Sequence, residues 1–179
     1  MAEAGLDSDN DGYIEAFEVV AFLENEGMDV NNDGEINLRD AVSDGSPFED
    51  FEDNDAKSLY LPHNVNANSV FYPGTHDNDT IWGWYRSSSK EVKHRVRQYL
   101  GVSGDDIAWD FVRASYSSVS RIAVIPMQDL LNLGTQSRMN YPGRTFGNWQ
   151  WRYTREAISN LRRNSASYLK ELGAIYGRI

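Results

Sequence analysis

The sequence has no cysteine, which excludes disulfide bonds and thiolate metal sites. It also lacks any apolar run near the roughly 20 residues that a membrane-spanning helix needs, so a membrane protein is not expected. Its first residues are acidic and have neither the basic nor the apolar region of a signal peptide. With 179 residues, 40% of them hydrophobic and 12% aromatic, the chain can still form the packed core of one ordinary domain.

Basic residues are nearly absent from the first third of the chain. Residues 1–56 contain 18 acidic side chains and one basic side chain, Arg39, which gives a formal charge of −17. Residues 57–179 contain 9 acidic and 16 basic side chains, which gives +7. A division this sharp predicts two units. The basic residues of the second unit alternate with aromatic and apolar ones, so nucleic-acid binding is not expected.

The acidic first unit contains two loops with the spacing of a calcium-binding EF-hand. In residues 7–18, acidic side chains occupy positions one, three and five, glycine occupies position six, and glutamate occupies position twelve. Ca²⁺ takes about six to eight oxygen ligands, and this spacing aims the oxygens at one centre. The predicted ligands are Asp7, Asp9, Asp11, the Tyr13 carbonyl, Glu15 and Glu18.

Residues 29–40 repeat this pattern. Asn31 stands where the first loop has an acidic residue, and Asp40 is one methylene shorter than glutamate, so we expect weaker calcium binding in the second loop. Because the many carboxylates repel one another without a cation, folding of this unit should depend on Ca²⁺. The predicted ligands are Asp29, Asn31, Asp33, the Glu35 carbonyl, Asn37 and Asp40.

The flanks of the two loops leave two interpretations open. Only six residues precede the first loop, too few for a full entering helix. A truncated EF-hand pair fits this arrangement, and so does a dockerin-like module, which would bind a protein partner. We therefore assign residues 1–42 to a small α-helical calcium-binding unit. Residues 43–57, which are rich in acids and turn formers, are interpreted as a linker.

Residues 58–179 have the pattern of an α/β unit. Apolar runs at 69–72 and 122–125 predict strands, and the second run is typical of a buried parallel strand. Residues 128–131 predict a turn or a helix. The other predicted helices cover about 79–85, 90–100, 106–118 and 155–176.

The densest cluster of chemical side chains directly follows the first predicted strand. It reads Tyr72-Pro73-Gly74-Thr75-His76-Asp77-Asn78-Asp79-Thr80. Because α/β enzymes place catalytic residues after the carboxyl ends of their strands, this cluster is a candidate site. Taken alone, Asp77 and Asp79 could also cap the following helix, and His63 and His76 could be ordinary loop residues.

Five motifs follow one another in residues 58–179, and the cluster just described is the second of them. The others are Leu61-Pro62-His63-Asn64, Ile125-Pro126-Met127-Gln128-Asp129 with Leu133-Gly134, Arg138-Met139-Asn140 with Pro142-Gly143, and Gly147-Asn148-Trp149-Gln150-Trp151-Arg152. Together they resemble the C-terminal part of the 4-α-glucanotransferases, the amylomaltase or disproportionating-enzyme family.

The resemblance implies a fold and a reaction. The fold is the terminal portion of a (β/α)8 barrel, and the reaction is a retaining transfer of α-1,4-glucan segments between maltodextrins. An Asp nucleophile, a Glu acid/base and a second Asp act on the sugar. Asp77 matches the second Asp, which stabilises the transition state, and His76 matches a neighbouring histidine that hydrogen-bonds the sugar. The residues expected near the sugar, or shaping the loop beneath it, are Arg138, Asn140 and Asn148.

Several of these residues have a second interpretation. Arg138 could be a structural ion-pair partner. The tryptophans could stack on sugars, but packing in the core is expected for most of them. They are Trp82, Trp84, Trp149 and Trp151.

Residues 1–57 contain no segment that matches the family's nucleophile or acid/base. A closed barrel takes about 250 residues, so we expect a fragment that is inactive on α-1,4-glucans in isolation. The alternative is a calcium-binding or dockerin-like interaction module attached to an inactive enzyme remnant. The ending Tyr176-Gly177-Arg178-Ile179 resembles the C-terminus of the family's plant-type members, which favours a plastid or the cytoplasm. A dockerin-like unit would instead favour secretion.

Overall fold

The structure is a computed structural model that describes Phe51, residues 57–58 and residues 60–179. Both predicted calcium loops, with all of their proposed ligands, lie outside the described residues, as does most of the predicted linker. Two short strands and five α-helices succeed one another in the described part. They are β1 (Val70–Phe71), α1 (Ile81–Ser87), α2 (Lys90–Leu100), α3 (Ile107–Ser117), β2 (Ile122–Ala123), α4 (Met127–Leu130) and α5 (Arg155–Ile175).

Local side chains determine where the helices begin. The hydroxyl of Thr80 accepts a hydrogen bond from the Gly83 amide at 3.1 Å at the start of α1. Ser89 caps α2 in the same way, and Thr154 caps α5. The cap of α1 is therefore Thr80, and neither Asp77 nor Asp79 has the capping role that the sequence left open for them.

The two strands form a parallel pair, with Val70 opposite Ile122. The prediction of a parallel strand within 122–125 is confirmed, but β2 is only two residues long and the prediction that it is buried is wrong. Val124, just beyond β2, is 51% exposed. In the part of the chain that the structure describes, the sheet consists of β1 and β2 alone. The outer edge of each strand therefore has no neighbouring strand there.

The hydrophobic core lies among α1, α2 and α3. The ring of Phe111 on α3 meets the rings of Trp84 and Phe51 edge to face, with centroids 6.1 and 6.0 Å apart. Phe51 is buried, and its carbonyl accepts a hydrogen bond from Arg95 at 2.8 Å. Phe51 falls within the predicted linker, yet its side chain belongs to this core, whereas a solvated tether would leave it exposed. Trp84 has the core position expected for most of the tryptophans.

Arg178, just after the end of α5, forms hydrogen bonds with the backbone at the end of α3 and just beyond it. Its guanidinium donates to the carbonyls of Tyr116 at 2.8 Å, Ser118 at 2.9 Å and Ser120 at 3.0 Å. The last carbonyls of a helix have no partner within it and favour a positive charge, so one side chain satisfies several groups here. No helix among the described residues has the length and apolar character to cross a membrane.

Candidate functional site

The turn after β1 is held by its own side chains. The Asn78 side-chain oxygen accepts from the backbone N–H of Thr75 at 2.7 Å and from the Thr75 hydroxyl at 3.1 Å. The same hydroxyl accepts from the Asp77 amide at 3.3 Å. The Asn78 side-chain oxygen and the Thr75 hydroxyl are thereby occupied within the turn. His76 and Asp77 keep 45% and 47% of their side-chain surface exposed and available to a ligand.

Two residues from a distant segment meet this turn. The side-chain amide of Asn140 donates to a carboxylate oxygen of Asp77, and Arg138 donates to the Asp77 backbone carbonyl. The backbone amide of Asn140 donates to the His76 carbonyl at 3.1 Å. Arg138 also donates to the Asn140 carbonyl at 2.8 Å, so it acts on backbone carbonyls where the sequence had suggested an ion pair. The structure thus brings together His76, Asp77, Arg138 and Asn140.

Asn148 shapes the loop beside this cluster. Its side-chain oxygen accepts from the Tyr141 amide at 3.0 Å, and its side-chain amide donates to the Arg144 carbonyl at 2.9 Å. These bonds close residues 141–148 into a loop. The hydrogen bonds of Asn148 are thus to the backbone of this loop and not to the Asp77 carboxylate, which is the pattern of a residue that shapes the loop.

Trp149 follows this loop and forms a wall of the cluster. Its amide donates to the Met139 carbonyl at 2.8 Å, and its ring centroid lies 4.7 Å from that of His76. The side chain is 53% exposed, and the backbone has a left-handed φ of 61°. A tryptophan held in this conformation and half exposed departs from the expectation of core packing. Its open ring face can instead receive an apolar ligand surface.

The cluster can bind polar hydroxyls but does not contain a complete retaining catalytic pair. The nearest imidazole nitrogen of His76 lies 3.5 Å from an oxygen of Asp77, and together they offer acceptors and a donor. A retaining glycosidase places two carboxylates about 5–5.5 Å apart. The next acidic residue, Asp79, is engaged by the Thr80 amide at 2.8 Å and the Thr135 hydroxyl at 2.7 Å. Asp79 therefore contributes to packing at the start of α1.

Asp129 is a buried carboxyl group to which the sequence assigned no role. It is 3% exposed and accepts a hydrogen bond from the Ile81 amide at 2.8 Å, at the beginning of α1. Loss of solvation raises the pKa of Asp129 to about 7, the hydrogen bond from Ile81 opposes this, and the charge of Asp79 adds to it. The sequence feature that could have indicated a buried Asp129 is its position as a single carboxylate shortly after an apolar strand. Asp129 lies on α4, shortly after β2, and its hydrogen bond joins α4 to the start of α1, the helix that follows the His76–Asp77 turn.

Comparisons with known proteins agree with this arrangement. A family model described as 4-alpha-glucanotransferase matches residues 44–158 and so begins inside the predicted linker. The chloroplastic/amyloplastic 4-alpha-glucanotransferase DPE1 of Arabidopsis thaliana is 42% identical over 125 residues, which cover 69% of this chain and 22% of the relative. The 4-alpha-glucanotransferase of Aquifex aeolicus is 40% identical over 136 residues, which cover 75% of this chain and 27% of the relative.

A solved structure resembles the described fold. The amylomaltase from Streptococcus agalactiae, determined in complex with acarbose, is 32% identical, with a TM-score of 0.66 over 90% of this chain and 35% of the neighbour. This neighbour confirms the coarser part of the fold prediction, a portion of an α/β barrel. The chain spans about a quarter of the length of the relatives named above.

Proposed function

Because this chain belongs to the 4-alpha-glucanotransferase family, we propose that its described part forms one wall of an α-1,4-glucan subsite in a retaining transferase. Asp77 holds sugar hydroxyls in the distorted, oxocarbenium-like state, and His76 hydrogen-bonds the same sugar. The nucleophile and the acid/base come from the part of the barrel that residues 1–179 do not supply. The reaction transfers a glucan segment from one maltodextrin to another.

The observation that carries this proposal is the link between Asp77 and Asn140. One carboxylate oxygen is oriented by an amide from a segment 63 positions away, and the backbone of Asp77 is held by Arg138. A carboxylate fixed in this way is preorganised to interact with charge that develops in the transition state. The exposed ring of Trp149 beside His76 adds a flat apolar wall, as sugar rings require.

The proposal predicts activity after complementation. We would replace the segment of the Streptococcus agalactiae amylomaltase that aligns with residues 60–179 by the corresponding residues of this chain. The chimera should convert two maltotrioses to glucose and maltopentaose, because it contains all three carboxylates. The 179-residue chain alone should release no glucose. Glucose release and product length are measured by an enzymatic glucose assay and by chromatography.

The amylomaltase without the exchanged segment is the control for residual activity of the remainder. A chimera that folds but produces no glucose would contradict the proposed function. Glucose release by the isolated chain would contradict the assignment of the nucleophile and the acid/base to residues outside this sequence.

We also propose that residues 1–42 bind Ca²⁺ at two sites, the second weaker than the first. The support is the twofold match of the sequence to the EF-hand loop spacing. Calorimetric titration of the full chain with Ca²⁺ should give saturable heat, and Glu18→Gln should remove the tighter phase, because it loses a carboxylate expected to supply two oxygens. Glu24→Gln, outside both loops, is the matched control. A titration without heat at millimolar Ca²⁺ would contradict this proposal.

A further inference from the structure

A groove lined by aromatic, aliphatic and amide side chains crosses the surface between α3 and α5. Its aliphatic lining includes Leu130, Leu131, Leu133 and Leu161. Its larger part is a cavity of about 470 Å³, within the usual range for small-molecule sites. Trp109 of α3 forms one wall, and Trp151 and Tyr153, just before α5, form another. The rings of Trp151 and Tyr153 lie 6.2 Å apart, and Tyr153 is 55% exposed. The groove therefore presents open aromatic surface.

The groove continues along the two helices. A second cavity of about 310 Å³ shares Trp109, Asn164 and Ser165 with the first and extends to Tyr168. The rings of Trp109 and Tyr168 have centroids 5.7 Å apart at an interplanar angle of 54°. Because neighbouring cavities share a wall, the feature is elongated. An elongated groove fits a linear ligand better than a compact one.

The polar groups of the groove suit hydroxyl-rich ligands. Asn160 and Asn164 of α5 contribute side-chain amides. The Asn160 oxygen already accepts a hydrogen bond from Arg163, so Asn160 offers its N–H donors, whereas an amide such as that of Asn164 can both donate and accept. The side chain of Asn132 lies on the opposite side and donates to Asp106 at 3.2 Å. Sugars combine apolar ring faces with a rim of hydroxyls. Aromatic rings interspersed with amides match both features.

The groove differs from a helix face left uncovered by an incomplete barrel. Both of its walls, α3 and α5, are described elements that already pack against each other. It also lies next to the proposed active-site wall in sequence: Trp149 stacks beside His76, whereas Trp151 lines the groove.

We propose that this groove is an additional binding site for a linear α-glucan, distinct from the subsite at Asp77. The choice of glucan as the ligand class rests on the proposed function. The aromatic pair Trp151–Tyr153 and the ring of Trp109 contact sugar faces, and the amides of α5 bind hydroxyls. Such a site keeps a long glucan on the protein between transfer events and favours longer donors over maltotriose.

The test is a calorimetric titration of the full chain with maltoheptaose, with cellohexaose as a ligand of different linkage geometry. Tyr153→Ala and Asn164→Ala should each weaken maltoheptaose binding, the former by about tenfold, because they remove a stacking face and a hydroxyl partner. Tyr153→Phe should retain most of the affinity. Phe146→Ala is the matched control, since Phe146 is 88% exposed and does not line the groove. Both altered side chains are exposed, and circular dichroism checks that the variants fold.

Asp77→Asn distinguishes the groove from the proposed active site. Affinity that is lost in Tyr153→Ala and kept in Asp77→Asn supports the groove. Affinity that is lost in Asp77→Asn and kept in Tyr153→Ala would overturn it, and so would the absence of binding at millimolar maltoheptaose. Neither of these failures would test the proposed function, which is measured separately as transfer between maltotrioses by the chimera.

Discussion

Replacing Asp77 by Asn in the chimeric transferase will lower kcat for maltotriose disproportionation by about a hundredfold to a thousandfold, with a smaller change in KM. The substitution keeps the size of the side chain and removes the charge. That charge matters most when the sugar becomes oxocarbenium-like, and much less in the ground state. Initial rates over a range of maltotriose concentrations separate the two parameters.

Two further variants show how to interpret this result: Asn140→Ala tests the orientation of Asp77, and Asp105→Asn is the control for loss of a charge. Asn140 orients one oxygen of Asp77, so its loss should lower kcat by roughly tenfold, since a misplaced carboxylate still carries its charge. Asp105 is an exposed carboxylate on the loop before α3, and its neutralisation should leave both parameters unchanged. An Asp77→Asn chimera that retains the parent kcat would show that Asp77 does not stabilise the transition state.

The second large effect concerns the stability of the folded chain and its dependence on pH. The pKa of Asp129 is about 7 in the folded state and 3.8 for an unperturbed aspartate, so between these values the folded state binds a proton that the unfolded state releases. Stability from this group is fully present below pH 4 and is lost as the pH rises through 7, by about 1.4 kcal/mol per pH unit. Asp129→Asn should remove this slope and stabilise the chain at pH 8 by about 4 kcal/mol, the slope summed over the roughly three pH units between the two pKa values.

Urea unfolding of both proteins at several pH values between 4.5 and 8 measures the difference. Asn retains a side-chain oxygen that can accept from the Ile81 amide, so the variant keeps the contact at the start of α1. Asp105→Asn, an exposed neighbour of α3, controls for the change in net charge. If the free energy of unfolding changed with pH in the same way for the wild type and Asp129→Asn, this would contradict the raised pKa of Asp129.

The helices could be read from the sequence because their ends are encoded locally. Ser89 and Gly101 bracket α2, and the structure begins and ends that helix where the pattern predicts. Thr154 does the same for the start of α5. A cap needs only its own helical turn, so a sequence without tertiary information is sufficient for it.

The tertiary environment of single side chains could not be read in the same way. Phe51 lies among acidic residues, yet its ring fills the core between Trp84 and Phe111. Asp129 looks like any exposed carboxylate until β2 and α1 place it out of solvent. Trp149 looks like a core residue until its left-handed backbone turns the ring towards His76. Contacts between distant segments decide each of these positions, and propensity does not record them.

The Asp77 cluster was predicted from the order of five motifs rather than from any one of them. Asp77 and Asn140 are 63 positions apart, and their contact follows from the fold that those motifs indicated. The calcium loops remain a prediction, because they lie outside the described residues.

The same long separation has a kinetic consequence. The hydrogen bonds that hold Asp77 join residues 61 and 63 positions apart, whereas α1, α2 and α3 are local structures that pack against near neighbours in the chain. Closing a long loop costs entropy that is recovered only after its two ends meet, and local contacts form sooner. The helical core should therefore form before the Asp77 cluster does. A folding intermediate of this chain would contain its apolar core and lack the hydrogen bonds that hold Asp77.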